Sequence, residues 1–214
     1  MSRRLTAADF VISAVTPRDF PSDARPEVAL VGRSNVGKSS LINSLVRKAI
    51  ARTSATPGKT RQANIYRVTP AGGNTFYLVD LPGYGHAGGG EKARQEFSAI
   101  TSVYFDTRVG KRGVVAAPGR TAPPALPSSL CAVVLAIDAR HPGMESDVEA
   151  VRWLHALGVP YLLVATKVDK LSQSEKAKLK RTCLEAFGAE PLAASAVTGD
   201  GLDELWKRLH EWTA

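Results

Sequence analysis

Residues Glu27–Ser39 read EVALVGRSNVGKS, and the way this stretch must fold organises the rest of the chain. An unbroken apolar run ends at Gly32, and Gly32–Ser39 (GRSNVGKS) fits the spacing G-x-x-x-x-G-K-[ST]. The run reads as a buried strand. Gly37–Val46, with Leu41, Ile42 and Leu45 on one face, reads as the helix that follows it. Polyphosphate needs each part of such a unit. Glycines let the backbone wrap closely, successive N–H groups point inward, and the helix N-terminus adds its positive dipole. Lys38 is placed to reach the β- and γ-phosphates, and the Ser39 hydroxyl to ligate Mg²⁺.

Working outward, short apolar runs alternate with helical periodicity. Ile65–Val68 (IYRV) and Thr75–Asp80 (TFYLVD) flank a PAGGN turn and predict a hairpin. Cys131–Asp138 (CAVVLAID) and Tyr161–Thr166 (YLLVAT) are continuous apolar runs, as expected of parallel strands covered on both faces. Asp147–Leu157 predicts a helix with Val148, Val151, Leu154 and Leu157 inward. Ser172-Gln-Ser-Glu175 is a capping box opening a helix that presents Leu179, Cys183 and Phe187. Leu202, Leu205, Trp206 and Leu209 form the apolar stripe of a last helix, with Asp200 as its expected cap. The alternation implies an α/β sandwich with a largely parallel sheet. Residues 1–22 are expected as an N-terminal extension and 23–214 as the domain. Gly110–Ser129, rich in Pro, Gly, Ala and Ser without amphipathic period, is expected as a mobile insertion.

At 214 residues the chain suits one domain with embellishment. Cys131 and Cys183 cannot make a disulfide framework, and both fall inside apolar patterns that read as core. No stretch approaches the ~20 apolar residues that cross a bilayer. Arg3 and Arg4 precede too short an apolar run for a secretory signal. Ser2 is not the glycine that myristoylation needs, and the chain ends WTA without a prenylation cysteine. A cytoplasmic, soluble protein with no membrane partner is the expectation. The net charge of +8 fits either a solvated surface or phosphate-rich nucleic acid as partner.

Four further motifs extend the phosphate loop. TKVD (Thr166–Asp169) ends an apolar strand, where α/β sheets bind ligands. A carboxylate at Asp169 can accept from the N1–H and exocyclic amine of guanine, whereas adenine would leave it unpaired, and the Lys167 stem can cover the base. DLPG (Asp80–Gly83) places a carboxylate to hold Mg²⁺ through a water and the Gly83 N–H against a γ-phosphate. Ala194–Ala196 (ASA) can present backbone N–H groups to guanine O6. Within Thr53–Arg61 (TSATPGKTR) one threonine should complete the Mg²⁺ shell, Thr60 first and Thr56 as the other choice.

GRSNVGKSSLIN, TPGKTR, DLPGYG, TKVD and the terminal SAVTGDGLDEL together resemble the EngB (YihA/YsxC) family of ribosome-assembly GTPases, in the translation-factor-like branch of P-loop GTPases. The resemblance spans Phe10 to Trp212. It implies a Ras-like three-layer sandwich with a mostly parallel six-stranded sheet and helices on both faces. It also implies GTP binding and hydrolysis with Mg²⁺, a role in large ribosomal subunit assembly, and a need for the protein in normal septation. The nucleotide contacts it implies are Gly32, Arg33, Ser34, Asn35, Val36, Gly37, Lys38 and Ser39 in the first motif. Gly58, Lys59, Thr60, Arg61 and Gln62 follow, then Asp80, Leu81, Pro82 and Gly83. Thr166, Lys167, Val168 and Asp169 come next, and Ala194, Ser195 and Ala196 complete the set. Ser39 and Thr60 would be the metal ligands; Lys38, Thr60 and Gly83 would serve catalysis. Two departures from the family stand out, the long segment Gly110–Ser129 and the glycine-rich GHAGGG after DLPGY, which implies a mobile second switch.

Ras-like enzymes place a glutamine directly after the switch glycine; here that residue is Tyr84, so intrinsic hydrolysis is expected to be slow without a partner or bound ion. Asn35 resembles the asparagine that coordinates K⁺ in related GTPases. His86 reads as a polar residue of the second switch. His141, His155 and His210 lack metal-ligand spacing. The expected partners are GTP or GDP and ribosomal RNA or a large-subunit precursor, engaged by a monomer, with Lys111–Arg112 and SQSEKAKLKR as basic contacts. Alternatives are a nucleotide-gated protein-binding module of the division machinery and an ATP-using P-loop kinase.

Overall fold

The computed structural model describes residues 5–51, 62–84, 99–109 and 129–214. Within them twelve elements alternate: β1 (Leu5–Ala14), β2 (Glu27–Gly32), α1 (Lys38–Val46), β3 (Ala63–Pro70), β4 (Phe76–Asp80), α2 (Ala99–Val109), β5 (Leu130–Asp138), α3 (Glu145–Leu157), β6 (Tyr161–Thr166), α4 (Gln173–Phe187), β7 (Leu192–Ala193) and α5 (Leu202–Thr213). The strands form one sheet in the order β1-β3-β4-β2-β5-β6-β7. β4, β2, β5, β6 and β7 run parallel. β3 pairs antiparallel with β4 through the expected hairpin.

Alternation along each strand divides the core in two. Ala29 and Val31 of β2 and Val133, Leu135 and Ile137 of β5 pack with Tyr104 and Phe105 of α2, Val151 and Leu154 of α3, and Leu179, Cys183 and Phe187 of α4. Val28 and Leu30 of β2 and Val134 of β5 face the other way, onto Leu41, Ile42 and Leu45 of α1 and Leu205 and Leu209 of α5. Helices thus cover both faces, and the sheet is the middle of three layers. Among the described residues no helix is long and apolar enough to cross a membrane.

Two expectations are corrected. The sheet has seven strands rather than six, because Leu5–Ala14 pairs antiparallel with β3 as its outer edge. Its hydrophobic signal is inverted: small Ala8 and Ala14 point inward while Phe10 and Ile12 are exposed. A bulge between Phe10 and Ile12 breaks the alternation further. Asp200 does not cap α5. Gly201 occupies that position with left-handed backbone, and the Asp200 carbonyl accepts the Ser195 N–H at 3.0 Å. The capping box of α4 is present: Glu175 N–H donates to Ser172 Oγ at 3.3 Å, and Ser172 N–H to the Glu175 carboxylate at 2.7 Å. The segment 110–128, the GHAGGG run with His86, and Thr56, Gly58, Lys59, Thr60 and Arg61 lie outside the described residues.

Candidate functional site

The carboxyl ends of β2, β4, β5, β6 and β7 lie side by side in the parallel part of the sheet, and all of them but β5 lead into candidate residues. β2 ends at Gly32, where a Cβ would stand 2.5 Å from the Ala136 carbonyl of β5; only glycine lets the chain turn there. In the loop that follows, Asn35 is exposed with φ 61° and Val36 N–H donates to Arg33 O at 3.2 Å. Two residues of the TKVD motif brace this loop from outside. Thr166 Oγ1 donates to Val36 O at 2.6 Å and to Ile137 O at 2.9 Å, and Lys167 Nζ donates to Asn35 O at 2.6 Å. The Thr166 side chain is therefore engaged in holding the loop, and Val168 is buried in the core; both offer only backbone to a ligand.

Lys38 is buried and its ammonium donates to the Gly32 carbonyl at 3.1 Å, curling back over the loop. Ser39 Oγ donates to Asp80 Oδ2 at 3.0 Å. Burial pushes the Lys38 pKa below its ordinary value and the Asp80 pKa above its own, each countered by the opposite charge. Asp80 Oδ1 is buried with no hydrogen-bond partner among the described residues. An orphaned carboxylate oxygen beside a serine hydroxyl is a hard-oxygen donor set of the kind Mg²⁺ takes, and it fits that ion. Leu81 and Pro82 turn inward. A Cβ on Gly83 would meet Ser34 N and Ser34 Oγ at 2.6 Å, so the DLPG segment lies directly against the loop.

On the far side, Asp169 Oδ1 accepts Ser195 Oγ–H at 2.7 Å, which holds its carboxyl below the usual range. Ser195 Oγ also accepts the N–H groups of Val197 and Thr198 at 3.1 Å, fixing its rotor. Of the Ala194–Ala196 amides, that of Ala194 is engaged by Ala165 O at 2.8 Å and that of Ser195 by Asp200 O. Ala196 is left, among the described residues, as the donor for a ligand. An ionised acceptor at 169 beside an N–H at 196 matches the donor edge and O6 of guanine. Gln62 is exposed just before β3.

Two carboxylates that the sequence reading missed hold this end of the sheet together. Asp138, at the end of β5, accepts Arg140 Nε at 2.9 Å and Lys167 Nζ at 2.9 Å. Asp147, 0% exposed on α3, accepts Arg33 Nε at 3.1 Å and the Tyr84 hydroxyl at 2.8 Å. Arg33, expected as a ligand contact, thus sends its side chain to Asp147, and only its backbone remains with the loop. Burial raises the Asp147 pKa against the pull of Arg33 and Tyr84, and burial beside Asp147 holds the Tyr84 phenol well above its ordinary value. A signal existed. Asp147 precedes Val151 by four and Leu154 by seven, so it lies on the apolar stripe of α3, where an unpartnered carboxylate would be costly.

The chain is 42% identical over 203 residues to the probable GTP-binding protein EngB of Solibacter usitatus, covering 94% of each chain. With its counterpart in Chlorobaculum parvum it is 43% identical over 209 residues, 96% of each. Residues 27–115 match the family of 50S ribosome-binding GTPases. The crystal structure of a probable GTP-binding protein engB aligns at 19% identity with TM-score 0.57, over 87% of this chain and 98% of that one. Era in complex with MgGDPNP and part of 16S ribosomal RNA aligns at 21% identity with TM-score 0.67, over 88% of this chain and 57% of that one. At such identities the structural likeness concerns the fold.

Proposed function

The chain belongs to the EngB family of P-loop GTPases, and from that premise we propose that it is a GTP-operated switch serving assembly of the large ribosomal subunit and, through it, normal septation. One observation carries the nucleotide part: the phosphate loop, the Ser39–Asp80 pair and the Asp169–Ser195 pair converge at adjoining strand ends.

In this proposal the amides of Gly32–Ser39 cup the α- and β-phosphates and Lys38 swings from Gly32 O onto the β- and γ-oxygens. Ser39 would hold Mg²⁺ directly and Asp80 through a water, with Thr60 as the further ligand. The ion, when bound, neutralises charge on the phosphate oxygens. Asp169 selects the purine and the Gly83 N–H meets the third phosphate. Tyr84 cannot orient a water as a glutamine does, because its hydroxyl already donates to Asp147. Intrinsic turnover is therefore slow, and Asn35 is the residue at which K⁺ would raise it.

The ribosomal part rests on the family. The net charge of +8 supports a nucleic-acid partner, but on α4 Lys180 pairs with Glu190 at 3.1 Å and Arg181 with Glu185 at 3.7 Å, which mutes that face. We place the protein in the cytoplasm as a monomer. Nucleotide titration tests the core of the proposal: wild type should take up GTP and GDP but not ATP, and Asp169→Asn should shift preference from GTP to XTP by at least about tenfold. No uptake of guanine nucleotides at millimolar concentration would overturn it. Sedimentation with a GTP analogue tests the partner. Co-migration with large-subunit particles supports the switch in assembly, and its absence with nucleotide binding intact favours a protein-binding module.

A further inference from the structure

Two side chains distant in sequence meet at one buried carboxylate. Asp147 Oδ1 accepts both the Tyr84 hydroxyl at 2.8 Å and Arg33 Nε at 3.1 Å, and Oδ2 accepts Arg33 Nε at 3.2 Å. Arg33 opens the phosphate loop, and Tyr84 follows the switch glycine. The backbones of the same two segments are also joined: Arg33 and Tyr84 form an isolated parallel bridge, and Ser34 N–H donates to Tyr84 O at 3.1 Å. Gly83 lies between, within 2.6 Å of Ser34 had it carried a Cβ.

We propose that Asp147 is a positioning residue which, by clasping Arg33 and Tyr84 together, holds the Gly83 amide where a third phosphate meets it and so sets the preference for nucleoside triphosphate over diphosphate. This rests on the guanine-nucleotide reading above. The physical reason is a division of supports. The part of the loop that cups two phosphates is braced by Thr166 to Val36 O and Lys167 to Asn35 O, and neither bond touches Asp147 or Tyr84. Through Tyr84 the clasp acts beside the Gly83 amide, a group that a diphosphate does not engage. A purely structural role for the buried Tyr84 ring would instead affect both nucleotides alike.

Tyr84→Phe removes one hydroxyl and leaves the Arg33–Asp147 pair and the Ser34–Tyr84 backbone bond intact, so the loop keeps its ion pair while the switch segment loses its side-chain bond to Asp147. Fluorescence titration of the full chain with GDP and with a non-hydrolysable GTP analogue, together with single-turnover GTP hydrolysis, reads the effect. Diphosphate affinity should stay within about twofold, whereas analogue affinity and hydrolysis rate should each fall roughly 5–10-fold. Asp147→Asn, which also loosens Arg33 of the loop, should lower analogue affinity more than diphosphate affinity, and the double variant should be no worse than the poorer single one. A Tyr84→Phe protein whose two affinities are unchanged, or fall in equal proportion, overturns the inference, even if Asp147→Asn does not fold. Failure of the function itself looks different: wild type would then bind neither nucleotide.

Discussion

Four hydrogen bonds decide the charge state of Asp138. Burial pushes its carboxyl up, but donors from the Arg140 side chain and backbone and from Lys167 outweigh that and hold it far below the usual carboxylate range. Because the folded value lies below the unfolded one, the bonds stabilise the protein at pH above about 4, and that stabilisation is lost as acid titrates the folded carboxylate. Asp138→Asn should therefore lower stability by about 2 kcal/mol at neutral pH, a figure already discounted for the exposure of Arg140. In urea unfolding the gap between variant and wild type should narrow progressively from pH 5 downward. A gap independent of pH would mean that the ionised form is not what the site selects.

Among the elements, α2 is secured at the end of the sheet opposite the candidate ligand site. Glu27, 1% exposed where β2 begins, accepts Tyr104 O–H at 2.8 Å, Arg108 at 2.9 Å and Ser129 O–H at 2.8 Å. Arg108 also donates to Pro21 O at 2.7 Å and stacks over Phe20. Glu27→Ala leaves the Arg108 guanidinium mostly buried without its anion, which costs roughly 3–5 kcal/mol. Chemical denaturation should show that loss, and Glu27→Gln, which keeps the hydrogen-bond acceptor, should show a smaller one. Elements whose signals are local were legible beforehand, such as the Ser172–Glu175 box and the helix after Lys38. The cap of α5 was not, because a left-handed Gly201 and the use of the Asp200 carbonyl by Ser195 depend on the turn as a whole.

At the scale of the whole molecule, β1 closes one edge of the sheet although its own pattern argues against it. Eight residues of β1 pair with β3, and Lys48 Nζ donates across to Ala8 O at 3.1 Å. Removing residues 1–15 would bare the β3 edge and the neighbours of Ala8 and Ala14. Stability should fall by roughly 2–4 kcal/mol, and the truncated chain should self-associate through its open edge. Size-exclusion chromatography with urea unfolding checks both; a monomer of unchanged stability would show β1 to be dispensable.

Order and spacing along the chain were enough to determine the parallel sheet, the phosphate-loop motif at the end of β2 and the strand-end placement of Asp80 and Asp169, because those depend on signals a few residues apart: an apolar run, a glycine, a lysine before a serine, a carboxylate at a strand end. Tertiary structure alone decided that the Arg33 side chain pairs with Asp147, that Tyr84 is tethered, that Asp80 keeps an oxygen free among the described residues, and that Leu5–Ala14 is a strand. Each of those outcomes turns on which groups are buried against which partners. Burial is a property of surfaces brought together from positions as far apart as 33 and 147, and no local pattern encodes it.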